Sequence, residues 1–336
     1  MKSPFRTRRA RILATVGLAG LILIEAVLLL SLWPERVEAA SGGREGARGA
    51  GPAHAEFDLS NASIPVAEIL AGGPPKDGIP AIDQPRFVTA DQATFLRDDD
   101  VVIGLTSGGV ARAYPLRILV WHEIVNDTIG DDAVSVTYCP LCGTAMVFHR
   151  RIDGEMRSFG VSGLLYQSDV LMYDRETHSL WSQLAMKAVA GPAVGRELRW
   201  LPSTQTTWKA WREVHPETDV LSTETGFARD YARQPYDGYE RMPGTMFPVP
   251  THREDLPGKA WVAGLVIGGK AKAYALASIP DGEWIEDRIG GVEVRVRHTA
   301  EARRFEAQGP EGEAIPVVQA FWFAWQAFYP ESALQK

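Results

Sequence analysis

Apolar and polar positions alternate with a period of two along much of this chain, which is the pattern of half-buried β-strands. Two stretches, 101–114 and 261–274, each hold an apolar run, a Gly-Gly pair and a second alternating run, and this predicts a β-hairpin. The pair Trp208 and Trp211 has helical spacing and is followed by Pro216, which predicts a short helix.

These stretches belong to an internal repeat. Residues 104–136 align with 264–296 without a gap, and 206–218 align with 320–332. The first copy carries an extra segment between the two aligned parts. We therefore predict an α+β, β-rich fold of two internally duplicated modules, the second one reduced, behind an N-terminal transmembrane helix. The predicted boundaries are module one at 57–221, a long loop region at 222–258 and module two at 259–336.

The N-terminal part has a different composition. Residues 12–33 are apolar except for Glu25, and this length spans a bilayer core as a helix. The preceding segment 1–11 is basic, which predicts a cytoplasmic N-terminus. A cleaved signal peptide is the alternative. With a Gly/Ala-rich flexible linker at 34–56, the sequence predicts a single-pass membrane protein whose ectodomain is periplasmic or extracellular.

Charge and motifs limit the functions that fit. The net charge is −7, of which the first 33 residues carry +4 and the rest of the chain therefore −11. Because the predicted ectodomain is acidic, nucleic acid is not expected as a partner. The expected partner is the membrane, through the N-terminal helix, and the sequence leaves a small-molecule or protein partner open. The chain lacks the Gly-rich phosphate-binding loops and the G-x-S-x-G elbow of serine hydrolases.

The chain has only two cysteines, Cys139 and Cys142, in the sequence CPLCG between two predicted strands. This excludes a scaffold stabilised by several disulfides. A proline that fixes the turn and a glycine behind it are typical of a metal knuckle, in which two thiolates converge. A redox-active pair and a structural disulfide are the alternatives.

A knuckle supplies only two ligands, so others must come from elsewhere. His122 is the first choice, because it ends the short helix before the strand that carries Cys139. Two thiolates with an imidazole favour copper or zinc as the metal. Other candidate ligands are His149, Met146 and Met172.

Polar residues that only the first copy has are candidates for a pocket beside the knuckle. They lie in the loop 72–83, next to His122, and in the extra segment 159–184. The long loop 222–258 is a candidate lid. The candidate pocket residues are Lys76, Asp77, Glu123, Asn126, Ser162, Asp169, Asp174, Trp181, Ser182 and Gln183.

Four segments carry a resemblance to a known family. They are GGPPKDGIPAID (72–83), AYPLRILVWHEIVND (113–127), VTYCPLCGTAMVF (136–148) and FGVSGLLYQSDVLMYDRETHSLWSQ (159–183). Together they resemble the bacterial and archaeal domain-of-unknown-function family 3179. The resemblance implies that the pocket residues, His122 and the CPLCGTA segment belong to the family signature, and it implies no reaction.

The sequence thus predicts an extracytoplasmic, membrane-anchored protein that binds copper or zinc through Cys139, Cys142 and His122. A thiol–disulfide oxidoreductase that uses the two cysteines is one alternative. A non-enzymatic interaction module with a structural disulfide is the other. Whether the protein is an enzyme stays open at this point.

Overall fold

The structure is a computed structural model that describes residues 54–250 and 252–336. The predicted basic end 1–11, the predicted span 12–33 and most of the predicted linker 34–56 lie outside the described residues. Within the described ranges, no helix is long and apolar enough to cross a bilayer. The prediction of a membrane-anchored, single-pass protein is corrected on this finding.

Short strands make up most of the described chain. The strands are β1 (Ile69–Ala71), β2 (Phe87–Thr89), β3 (Val101–Ser107), β4 (Val110–Pro115), β5 (Ile124–Ile129), β6 (Asp132–Cys139), β7 (Thr144–His149), β8 (Arg151–Ile152), β9 (Glu155–Met156), β10 (Phe159–Tyr166), β11 (Asp169–Asp174), β12 (Leu180–Ser182), β13 (Lys187–Ala190), β14 (Trp200–Leu201), β15 (Thr204–Thr207), β16 (Asp219–Leu221), β17 (Trp261–Ile267), β18 (Lys270–Ala275), β19 (Trp284–Ile289), β20 (Val292–Thr299), β21 (Arg304–Gln308), β22 (Val318–Phe321) and β23 (Ala333–Gln335). The helices are α1 (Leu116–Leu119), α2 (Trp208–Val214) and α3 (Trp322–Phe328), with single 3₁₀ turns between strands.

The predicted α+β class is wrong. Strands hold 41% of the described residues against 12% in helices, and the five larger sheets have a five-bladed, propeller-like arrangement. The Trp-x-x-Trp spacing does form a helix, but α2 and α3 each run for only seven residues. Helices this short do not form a separate helical layer that packs against a sheet.

The repeat of the sequence recurs in the strand pairing. One sheet has the order β15-β3-β4-β16-β2, and another has the corresponding order β22-β17-β18-β23. The sheet β14-β7-β6-β5 likewise corresponds to β21-β20-β19. The fifth sheet has the order β1-β10-β11-β12-β13, in which the extra segment of the first copy supplies β10 to β13 and the chain before the repeat supplies β1.

A glycine on the first hairpin of each copy lies against a helix tryptophan. A Cβ on Gly104 would lie 2.2 Å from the ring of Trp211, and one on Gly264 would lie 2.0 Å from the ring of Trp325. Only glycine leaves room for the indole at this distance. The indole N–H groups donate to Thr218 in one copy and Ser332 in the other.

We expect Gly264→Ala to destabilise the protein by about 3 kcal/mol or more, because the new methyl group displaces a buried indole. Gly258→Ala is the matched control, since its Cβ would meet its nearest neighbour, Phe323, at 3.8 Å. Urea unfolding of both variants measures the difference. Equal stabilities for the two variants would contradict the packing described above.

The two copies pack against each other reciprocally. Strand β22 of the second copy lies against β7 of the first, and β15 of the first copy lies against β21, the counterpart of β7. The largest core cluster joins the cysteine hairpin, the extra sheet and α3. The cysteines therefore lie where three parts of the chain meet.

Candidate metal site

The two cysteines flank a tight turn between paired strands. Cys139 ends β6 and pairs with Thr144, the first residue of β7, so the predicted strand–knuckle–strand hairpin is confirmed. Gly143 has a φ of +69°, and a Cβ there would meet the ring of Trp261 at 2.5 Å. Both cysteines have free thiols and are buried, with exposures of 2% and 0%.

A second turn brings a carboxylate to the thiols. Asp169 begins β11 and pairs with Tyr166 across a two-residue turn, Gln167–Ser168. Both turn residues have left-handed backbones, with φ of 54° and 64°. Such turns favour Asn-Gly, so a buried Gln-Ser pair stores backbone strain at this position. The Ser168 carbonyl accepts a hydrogen bond from the Cys142 thiol at 3.2 Å.

The result is a cluster of three metal-ligating side chains. One ligand atom each from Cys139, Cys142 and Asp169 lie within 4.8 Å of one another. Atoms tetrahedrally bonded to one zinc ion at about 2.0–2.3 Å are about 3.3–3.8 Å apart. Small movements of the three side chains would therefore bring their ligand atoms to the spacing that a zinc ion requires.

The Asp169 carboxyl is held on one side only. Its Oδ2 accepts from the backbone N–H of Leu184 at 3.0 Å, whereas its buried Oδ1 has no hydrogen-bond partner in the described chain. Burial raises the pKa of Asp169 to about 7. Burial also raises the pKa of both thiols. A bound cation would remove the cost of ionising these groups and would occupy the free oxygen.

Glu123 is a further buried acid near this cluster. Its backbone is left-handed, with a φ of 58°, and its carbonyl accepts from the N–H of Tyr138, the residue before Cys139. The side chain is 7% exposed and makes no hydrogen bond within the described residues. Burial, with a smaller contribution from the charge of Asp169, raises the pKa of Glu123 to about 8.

The long loop 222–258 and the second copy cover the site. Tyr239 belongs to the same buried cluster as the cysteines, with its ring 6.4 Å from that of Phe321. The N–H of Phe321 donates to the carbonyl of Cys142 at 2.9 Å. Lys259 lies 3.5 Å from the ring centroid of Tyr239 and donates to its carbonyl. The loop therefore closes over the thiols.

His122 does not join the thiols, although the sequence favoured it as the third ligand. Its Nδ1 donates to the carbonyl of Pro80 at 2.7 Å, which leaves Nε2 to accept from the hydroxyl of Tyr231 at 2.7 Å. Burial lowers the pKa of His122. Both ring nitrogens are therefore hydrogen bonded to residues of two loops. The third member of the cluster is Asp169, where the sequence predicted His122.

Of the other candidate ligands, only the two methionines share a core cluster with the cysteines. His149 ends β7, where its Nδ1 is 3.9 Å from Asp132. Met146 and Met172 are buried in the core cluster that also contains the cysteines.

Three of the predicted pocket residues brace the site. Gln183 accepts from Thr144 at 2.6 Å and donates to Thr137 at 2.7 Å, so it ties the two strands of the cysteine hairpin together. Ser182 accepts from the N–H of Ala185 at 3.2 Å. Ser162 donates to the carbonyl of Leu171 and accepts from the N–H of Leu164. Their hydrogen bonds are all structural.

The remaining pocket candidates lie apart from the thiol–carboxylate cluster. Buried Asp174 accepts from the indole of Trp181 at 2.8 Å. Asn126 ties β5 to β10 through the N–H and carbonyl of Phe159. On the loop 72–83, Asp77 accepts from the Tyr173 hydroxyl at 2.5 Å, and Lys76 lies 4.6 Å from the centroid of the same ring.

Comparison with known proteins gives one match. A family model described as a protein of unknown function (DUF3179) matches residues 76–311, which is more than half of the chain. No curated protein and no solved structure matches the chain.

Proposed function

Since this chain belongs to the DUF3179 family of proteins of unknown function, we propose its function from the site itself: it is a zinc-binding protein with Cys139, Cys142 and Asp169 as ligands. One observation carries the proposal. Three buried ligand atoms lie within 4.8 Å of one another, and the carboxylate among them has one oxygen that accepts no hydrogen bond from any described residue.

The ligand set favours zinc over copper. Thiolates suit both Cu(I) and zinc, but a carboxylate is a hard ligand that zinc accepts and Cu(I) does not favour. Three protein ligands also leave a fourth position free, which is the ligand count of catalytic zinc sites and not of structural ones.

Thiol–disulfide exchange fits these observations less well. A redox-active cysteine needs an exposed sulfur with a lowered pKa. Here both sulfurs are buried, and burial raises the pKa of each thiol. A partner protein could not reach them without displacing the loop 222–258.

Zinc content tests the proposal. We expect the purified full-length protein to hold about one zinc per chain, and we expect Cys139→Ser to lose it, because one of three ligand atoms is replaced by a weakly binding hydroxyl. His122→Gln is the matched control, and it should retain the metal because His122 is hydrogen bonded elsewhere. A metal-free wild-type protein with intact fold after purification and zinc reconstitution would refute the proposal.

A further inference from the structure

Each copy ends its Trp-x-x-Trp helix with an aromatic ring that packs, tilted, against the second tryptophan. The ring of Tyr329 lies 4.4 Å from that of Trp325 in the second copy. The ring of His215 lies 4.1 Å from that of Trp211 in the first. The two residues occupy equivalent places, but only Tyr329 has a hydroxyl group.

Each of these helices faces the turn of the other copy. The N–H of Phe321 donates to the carbonyl of Cys142, and the N–H of Thr207 donates to the carbonyl of Ala302, both at 2.9 Å. Helix α3 therefore adjoins the cysteine turn, whereas α2 adjoins the equivalent turn of the second copy, where Thr299 and Ala302 stand in the positions of the cysteines.

The hydroxyl of Tyr329 reaches the backbone next to the metal site of the first copy. It donates to the carbonyl of Leu184 at 2.7 Å. The N–H of the same Leu184 donates to Oδ2 of Asp169 at 3.0 Å. Two hydrogen bonds thus connect the second copy to the carboxylate through one buried residue.

We infer that Tyr329 is a positioning residue of the metal site, so that the second copy, which has no cysteines, orients the Asp169 ligand of the first. The inference rests on the proposed zinc site. Partners that orient a ligand typically contribute 10- to 100-fold to metal affinity.

The region of the second copy that is equivalent to the metal site lacks such a hydrogen-bonded link among the described residues. There a cleft of about 540 Å³ opens between α2 and the turn at 299–304, and its lining includes Thr207, Thr299 and Ala302. The side chain of His215 makes no hydrogen bond within the described residues. Within residues 54–250 and 252–336, the link through a hydroxyl group is found only on the side that carries the cysteines.

Tyr329→Phe tests this role in the full-length protein, since it keeps the ring that packs against Trp325 and removes only the hydroxyl. We expect its zinc dissociation constant, measured by chelator competition, to rise about tenfold. Tyr274→Phe is the matched control, because it removes a tyrosine hydroxyl that donates to Asp287 in the same copy, away from the cysteines. Its zinc affinity should equal that of the wild type.

Cobalt substitution separates positioning from general destabilisation. In Tyr329→Phe the thiolate-to-cobalt charge-transfer band should persist, whereas the d–d bands should shift because the carboxylate is less well oriented. A zinc affinity within twofold of the wild type, or unchanged d–d bands, would overturn the inference. A wild-type protein that binds neither metal would instead refute the zinc site itself, and the positioning role with it.

Discussion

Replacing Asp169 with asparagine is expected to weaken zinc binding by about 100-fold or more while the metal-free fold keeps its stability near pH 6. Apparent binding free energies of ~10–16 kcal/mol for four-ligand zinc sites amount to about 3 kcal/mol per ligand, which is about two powers of ten. The asparagine amide has the shape of a protonated carboxyl, and burial keeps Asp169 largely protonated below its pKa of about 7.

The control for Asp169→Asn is a buried carboxylate outside the cluster. Asp174 accepts from Trp181 and Thr177 and has no place among the three ligand atoms. Asp174→Asn should therefore cost stability and leave zinc affinity unchanged, which is the opposite of the Asp169→Asn result. Chelator competition measures the zinc affinity of each variant, and urea unfolding measures its stability. Unchanged zinc affinity in Asp169→Asn would remove this residue from the ligand set.

Zinc affinity is expected to fall by about 10⁴- to 10⁵-fold between pH 8 and pH 6. Burial raises the pKa of both thiols, so each must release a proton when zinc binds, and affinity changes about 100-fold per pH unit. Below pH 7 the carboxyl of Asp169 is also protonated, which adds a third proton and steepens the dependence.

The metal-free protein should show the opposite trend with pH. The pKa of Asp169 is raised on folding, so the stability linked to its proton is complete below the unfolded pKa near 3.8 and is lost as pH rises through about 7. The pKa of Glu123 is raised to about 8, so the stability linked to its proton is likewise lost as the pH rises through about 8. Raising the pH should therefore weaken the metal-free fold and strengthen zinc binding.

Competition with a chelator of known protonation, at several pH values, measures this dependence. In Asp169→Asn the slope below pH 7 should drop from about three protons to about two, because only the thiols remain to titrate. A wild-type slope of less than one proton per zinc would contradict a site built from two thiols.

Local patterns predicted the parts of the fold that depend on neighbouring residues. The Gly-Gly turns, the alternating strands and the CPLCG turn all form hairpins, because their partners lie a few residues away. The Trp-x-x-Trp spacing correctly predicted a short helix, but it did not justify the α+β class. In the structure this spacing belongs to a helix of only seven residues, and its second tryptophan packs against a glycine of the first hairpin.

The metal ligands could be predicted only in part. Cys139 and Cys142 converge through a local turn, but Asp169 arrives from a separate sheet, and no pattern in the sequence specifies which turn reaches the thiols. Proximity along the chain favoured His122 as a ligand, but it carried no information about Pro80 and Tyr231, to which both ring nitrogens are hydrogen bonded. The sequence did predict Asp169 as a pocket residue, because it lies in the extra segment of the first copy, but nothing in the pattern distinguished it from the other pocket candidates as a metal ligand.

X-ray absorption at the zinc edge of the purified, zinc-loaded protein tests the ligand set most directly. Two sulfur neighbours at about 2.3 Å and oxygen neighbours at about 2.0–2.2 Å, with no imidazole scattering, are the expected result. A zinc shell without sulfur, or one that contains an imidazole, would contradict a site formed by Cys139, Cys142 and Asp169.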